Sequence, residues 1–259
     1  MTGLDPTLAT PRTDLPYLRT RSRPRAAPPA SPELSLSLPT PGTASSSLDL
    51  STAPTPQVRR SPSTSRRRPE RRRAESGAQT LLSLRAPTVT LTRLQSGVGK
   101  LTVEAACSAG VGDLRLGCAY QLRGGLTSTV QHSGGNRQGP ADGKRPVLQG
   151  ERHDYEAVTV DLRRCSEVER LMFYAFSESH APLTWGGTLV VTTYGDATIE
   201  VPLELGKGTP VGALLSIYNV AGEFVLRREM EPFESSVKAA CVAYGYDRIT
   251  WLDDWTPIN

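Results

Sequence analysis

Over residues 87 to 205 the chain keeps returning to a two-residue rhythm, and that period restricts its fold more than any other feature. The stretch DLRLGCAYQL (113–122) puts Leu114, Leu116, Cys118, Tyr120 and Leu122 on one face and Arg115, Gly117, Ala119 and Gln121 on the other. Successive side chains of an extended strand point to opposite faces, so this spacing predicts a half-buried strand. TVTLTRL (88–94), KLTVEAAC (100–107), AVTVDL (157–162) and TIEVPLEL (198–205) alternate as well. The last turns Ile199, Val201, Leu203 and Leu205 inward and Glu200 and Glu204 outward. Its Pro202 has no backbone donor, which predicts an edge strand or a bulge. RLMFYAFS (170–177) and GALLSIYNV (212–220) are apolar almost throughout and suit central strands covered on both faces.

A turn at Gly222 in NVAGEFVLRREM (219–230) predicts a hairpin. Helix signals are few. FESSVKAACVAYGY (233–246) has Ser235 or Ser236 as cap, apolar residues at helical spacing and Gly245 as stop, and CSEVERLM opens on a second candidate cap, Ser166. Eight or nine strands with little helix predict an all-β fold, a two-sheet β-sandwich with one or two short helices. TWGG (184–187), Pro232-Phe233 and YGYDRITWLDDW (244–255) supply aromatic anchors, either for closing the end of the sandwich or for a partner surface.

Ahead of this body, residues 1–84 read as a disordered Pro/Ser/Arg-rich tail, and 85–259 as the folded domain. Up to Gly77 there are 13 arginines, no lysine and 6 acids, together with 13 of the 21 prolines. Such a segment has too little apolar surface to offset the entropy lost on ordering. Its densest part, RRSPSTSRRRPERRR (59–73), carries Arg59, Arg60, Arg66, Arg67, Arg68, Arg71, Arg72 and Arg73. This arm is either a solubilising linker or an electrostatic contact for nucleic acid or an anionic membrane surface. No aromatic residue interleaves with the arginines, so base stacking is not expected there.

No run approaches the roughly 18 apolar residues of a membrane helix, and the N-terminus lacks a secretory pattern, so a cytoplasmic protein is expected, with peripheral membrane contact left open. Cys107, Cys118, Cys165 and Cys241 are far apart in sequence and are expected as free thiols. Nucleophile-elbow, phosphate-loop and zinc-protease patterns are missing, which argues against an enzyme. The three histidines are His132, His153 and His180, and a zinc site from the first two plus a carboxylate is conceivable. Between them lies a glycine-rich loop, HSGGNRQG (132–139). From His132 to Asp161 the acids are Asp142, Glu151, Asp154, Glu156 and Asp161, opposed by Arg137, Lys144, Arg145 and Arg152, for a sum of −1. Calcium wants about six to eight oxygens and concentrated negative charge. The loop therefore reads as a plain connection or as a weak site using Asn136 and backbone carbonyls.

The body resembles the TerD-like family of bacterial tellurium-resistance and general stress proteins, and in particular its TerA-type branch. DLRLGCAYQL resembles the family's Asp-Leu-Asp-Leu strand, VQHSGGNRQG its loop V-x-H-x-G-D-N-x-T-G, and GERHDYEAVTVDL the G-D-D-E-x-I-x-V-D-L that follows. EVERLMFYAFSE, PLTWGG, IYNVAGEFVLRREMEPF and YGYDRITW continue the likeness, which runs from about Val98 to Asp254. The resemblance implies a β-sandwich with a Ca2+ site between two acidic motifs, no catalytic reaction, and stress-response work through protein contacts with sister Ter-family proteins. Here Arg115 stands in place of the second Asp of the first motif, Gly135 in place of the loop Asp, and Arg152 and His153 in place of acids in the last. What remains as metal candidates is Asp113, Asn136, Glu151 and Asp154, implying a calcium site that is weak or lost.

Overall fold

The structure, a computed structural model, describes residues 72–258 apart from 135, 142, 143, 153 and 207. The expectation of a disordered tail over residues 1–71 lies outside the described residues. Fifteen strands are found among the described residues: β1 (Gln79–Leu81), β2 (Thr88–Thr90), β3 (Lys100–Ala106), β4 (Leu114–Leu122), β5 (Thr127–Gln131), β6 (Gln138–Gly139), β7 (Leu148–Arg152), β8 (Glu156–Asp161), β9 (Val168–Ser177), β10 (Thr188–Thr193), β11 (Ala197–Pro202), β12 (Val211–Val220), β13 (Glu223–Phe233), β14 (Thr250–Trp251) and β15 (Pro257–Ile258). The helices are short, α1 (Arg93–Gly97) and α2 (Val237–Ala243).

One sheet runs β1-β11-β10-β3-β8-β7-β6 and the other β2-β13-β12-β9-β4-β5, while β14 and β15 form a separate ribbon. This is the expected all-β fold of two main sheets. Leu101, Val103, Val158, Val160, Leu189, Val191, Ile199 and Val201 of the first sheet form one core with Leu116, Cys118, Tyr120, Leu171, Phe173, Leu215, Ile217, Phe224 and Leu226 of the second. Leu116, Cys118, Tyr120, Ile199 and Val201 are residues that the two-residue period turned inward, Leu171, Phe173, Leu215 and Ile217 come from the near-continuous apolar runs, and β10, with Leu189 and Val191, was not anticipated from the sequence.

A second apolar cluster adds a third layer to the described body. Ala119, Met172, Tyr174, Phe176, Val211 and Ala213, from the other face of the six-stranded sheet, pack with Val237, Ala240, Cys241, Tyr244, Tyr246 and Ile249. Helix α2 begins where Ser236 Oγ accepts from Ala239 N (3.2 Å), and it stops at Gly245, whose φ of 74° suits glycine. Arg170 of β9 donates to the carbonyls of Tyr244 (2.7 Å) and Gly245 (2.5 Å) and lies 4.3 Å over the Tyr246 ring. It thereby serves the helix's orphan carbonyls and packs by cation–π contact. So the outer face of β4, expected to be half exposed, is covered at Gly117 and Ala119.

Several boundaries differ from the sequence reading. Arg73 bridges Thr90, Ala74 is buried, and β1 lies at 79–81, so the body includes residues 72–84 that the reading assigned to the tail. The 88–94 strand stops at Thr90 because Thr92 and Gln95 close a capping box over α1, a Thr-x-x-Gln signal hidden within an alternating run. Ser166 caps nothing: a 3-10 turn, Leu162–Glu167, starts instead at Asp161, whose carboxylate accepts from Arg163 N, and β9 begins at once after it. Pro202 ends β11, which is flanked by β1 and β10 and is not an edge. Thr198 N donates to Ala78 O and Leu82 N to Glu200 O, so residue 202 would supply the next donor in that parallel series. Proline has none, and the pairing ends there. The hairpin at 219–230 forms as expected, with Ala221 and Gly222 at φ 55° and 84°.

Candidate functional site

Two elements open the site: the start of β4 and the end of β9, which are paired from Leu114 to Ser177. Asp113, just before β4, accepts from Ser177 Oγ (2.6 Å) and Ser179 N (2.6 Å). Partial burial pushes its carboxyl up, but the Ser177 and Ser179 donors together hold it below the usual range. Glu178, between those serines, accepts from Ser133 Oγ (2.9 Å) and from the Arg115 guanidinium, and both hold its carboxyl down.

The other sheet contributes Glu156, first residue of β8. Its side chain is 6% exposed, with Oε1 at 3.8 Å from Arg115 Nε and 3.5 Å from Arg152 Nε. Burial pushes the Glu156 carboxyl above its usual value; Arg115, Arg152, His132 and the Leu116 backbone oppose that without cancelling it. Arg115 also donates to Leu114 O (3.1 Å). An ion-pair chain therefore runs Arg152–Glu156–Arg115–Glu178, with Ser133 hydrogen-bonded to its last carboxylate, and joins β7 and β8 of one sheet to β4 and the end of β9 in the other.

The four sequence candidates fare differently. Asp113 belongs to this end of the sandwich. Asn136 is buried, but its carbonyl accepts from Gln131 N (2.9 Å) and its side-chain amide points to Pro257 O (3.5 Å), so it ties the glycine-rich loop to β15. Glu151 lies on β7 opposite Ala157, and Asp154 is exposed in the following turn. Among the described residues, no three His, Cys, Asp or Glu are grouped to hold a metal. The donor chemistry does not fit a calcium ion either: two guanidiniums already engage Glu156 and Glu178, and hydrogen-bond donors engage Asp113.

Glu178 and the bridging role of Arg115 were missed by sequence reasoning, and Glu156 was counted only as loop charge. The available signal was position, since Glu156 directly precedes the alternating AVTVDL and Glu178 directly follows the apolar β9 run. His132, at the end of β5, has a shielded Nδ1 without a hydrogen-bond partner among the described residues. His180 stacks on Trp255 at 3.9 Å between ring centroids. His153 and Gly135 lie outside the described residues.

Of the arginine arm, Arg59, Arg60, Arg66, Arg67, Arg68 and Arg71 also lie outside them. Arg72 donates to Leu81 O (3.2 Å), and Arg73 pairs with Glu223 (3.2 Å). The four cysteines are free thiols, as expected, and burial pushes Cys107 up to about 11. No helix among the described residues is long and apolar enough to cross a membrane.

Fold and site together define a two-sheet β-sandwich whose open end is closed by an ion-pair network. No family model and no curated protein matches the chain. Among solved structures it is similar to SAV2460, a protein of unknown function, at 16% identity over 57% of this chain and 95% of that one, with a TM-score of 0.39. It is also similar to SCO6318 from Streptomyces coelicolor A3(2), a homologue of the telluride resistance protein TerD, at 14% identity over 54% and 92%, with a TM-score of 0.38. Likenesses this distant assign the chain to no family.

Proposed function

We propose that this chain is a non-enzymatic stress-response protein of the TerD-like class, TerA-type branch, acting in the cytoplasm through contacts with other Ter-family proteins, with a degenerate calcium site. The order and spacing of the quoted motifs along a β-sandwich body support the class. The observation that carries the degenerate-site reading is the Arg115 guanidinium between Glu156 and Glu178. A cation fixed among the carboxylates supplies the positive charge that a bound ion would supply and repels such an ion. The same pairing suits a clamp better than proton transfer, because the carboxylates are engaged by guanidinium, hydroxyl or backbone donors.

Isothermal titration of the full chain with calcium tests the site: heat of binding in the micromolar range overturns the degenerate-site reading. The partner reading is tested by affinity co-purification of the tagged chain from tellurite-stressed cells. Recovery of sister Ter proteins supports it, and their absence from the eluate of stressed cells overturns it.

A further inference from the structure

Arg115 differs from Arg152, the other cation of the network. The Arg152 side chain is 46% exposed and pairs with Glu156 at 3.5 Å. Arg115 is 13% exposed and faces carboxylates from both sheets, Glu156 on β8 and Glu178 after β9, while a third nitrogen donates to Leu114 O. Its Nε and Glu156 Oε1 are both shielded from solvent and face each other across 3.8 Å, with no hydrogen bond to either atom among the described residues. A planar guanidinium can serve several acceptors at once from a fixed position. Asp113, held by Ser177 and Ser179, flanks Glu178 on the same turn, with Glu178 N donating to Asp113 O (3.3 Å).

We infer that the Arg115 guanidinium is the built-in cation of this end of the sandwich: it joins the carboxylates of Glu156 and Glu178 across the two sheets, the task a bound divalent ion would otherwise perform. This deepens the degenerate-site reading proposed above. Two carboxylates, Glu156 and Glu178, converge on the Arg115 position, and among the described residues no three acidic groups are placed to hold a metal while the guanidinium is there. Arg115→Asp therefore removes the clamp and sets a third carboxylate beside Glu156 and Glu178, converting a calcium-indifferent protein into one whose stability depends on calcium.

The test is the melting temperature of the full chain in EDTA and in millimolar calcium, for wild type, Arg115→Asp and Arg115→Gln. Wild type is expected to melt at the same temperature in both. Arg115→Asp is expected to melt lower in EDTA and to gain about 5 °C with calcium, because an ion that binds only the folded state stabilises it by mass action. Arg115→Gln is expected to fall in EDTA and to gain less. Loss of stability alone would follow from any disturbed packing; calcium rescue would not. A silent wild type with both variants indifferent to calcium overturns the inference and leaves the degenerate-site reading standing. A wild type stabilised by calcium overturns that reading itself. If Arg115→Asp does not fold, Arg115→Gln decides: a lower melting temperature partly restored by calcium supports the inference, and no response overturns it.

Discussion

Glu156 is withdrawn from water at the first residue of β8, and the two guanidiniums beside it do not fully compensate for the lost hydration. Its carboxyl accordingly holds a proton more tightly in the folded chain than in the unfolded one. Between the unfolded value, about 4.3, and the raised folded value, the folded state binds more protons, so this group's contribution to stability falls as pH rises through that window. The unfavourable contribution is complete above the folded value and absent below the unfolded one. Glu156→Gln removes it. Denaturant midpoints of wild type and Glu156→Gln, measured from neutral to mildly acidic pH, should therefore shift in favour of the variant as pH rises. A difference independent of pH would mean that Glu156 does not titrate differently on folding. The carboxyls of Asp113 and Glu178 are held low and act in the opposite sense: their stabilisation is present above the unfolded value and lost as pH falls through the folded one. None of this was legible in the sequence, where Glu156 is one of five acids in a mixed-charge loop. Its environment is set by β4, some forty residues earlier, which only the pairing of sheets brings near.

Among the elements, β4 serves both layers. Its inner face, Leu116, Cys118 and Tyr120, enters the main core, and the residues between them lie beneath the α2 layer. Gly117 leaves room for Tyr174: a Cβ there would sit 2.4 Å from the ring, whose hydroxyl donates to Gln131 Oε1 (2.7 Å). Gln131 Nε2 in turn points to Trp255 O (3.4 Å), so a displaced ring would disturb the seat of the C-terminal segment. Gly117→Ala should cost about 1–3 kcal/mol in urea denaturation, the usual range for overpacking. Ser236→Ala, which removes the α2 cap, should cost about 1 kcal/mol. An unchanged midpoint for Gly117→Ala would mean that the aromatic layer is looser than drawn. The strands over 100–106, 114–122, 168–177 and 211–220 and the helix from Val237 were legible because burial imposes period and caps impose residue type. The outer layer was not. Its contacts join β4 and β9 to residues past 236, and Gly117 in an alternating strand reads the same whether covered or bare.

At the scale of the whole molecule, the arginine arm and the sandwich meet at Arg72 and Arg73. Thr90 N donates to Arg72 O (2.8 Å), Ala74 N to Thr90 O (3.0 Å), and Arg73 pairs with Glu223. These last two arginines of the run are part of the fold, whatever the other six do. Two deletions separate the roles. Removing 59–71 takes six arginines and keeps the bridge to β2; removing 59–73 takes the bridge as well. The shorter deletion should leave the melting temperature unchanged, and the longer should lower it by a few degrees, since about 1–2 kcal/mol of lost hydrogen bonds and ion pairing moves a body of this size by about 2–4 °C per kcal/mol. The chain up to Gly77 carries a net charge of +7 and the remainder −3, so attraction to an anionic surface is expected to reside in the arm. If the arm is a contact element, flotation with phosphatidylserine vesicles should show binding by the full chain that weakens with salt and disappears in the 59–71 deletion. Binding that survives the deletion would transfer the contact to the sandwich, and no binding by either form would leave the arm a linker.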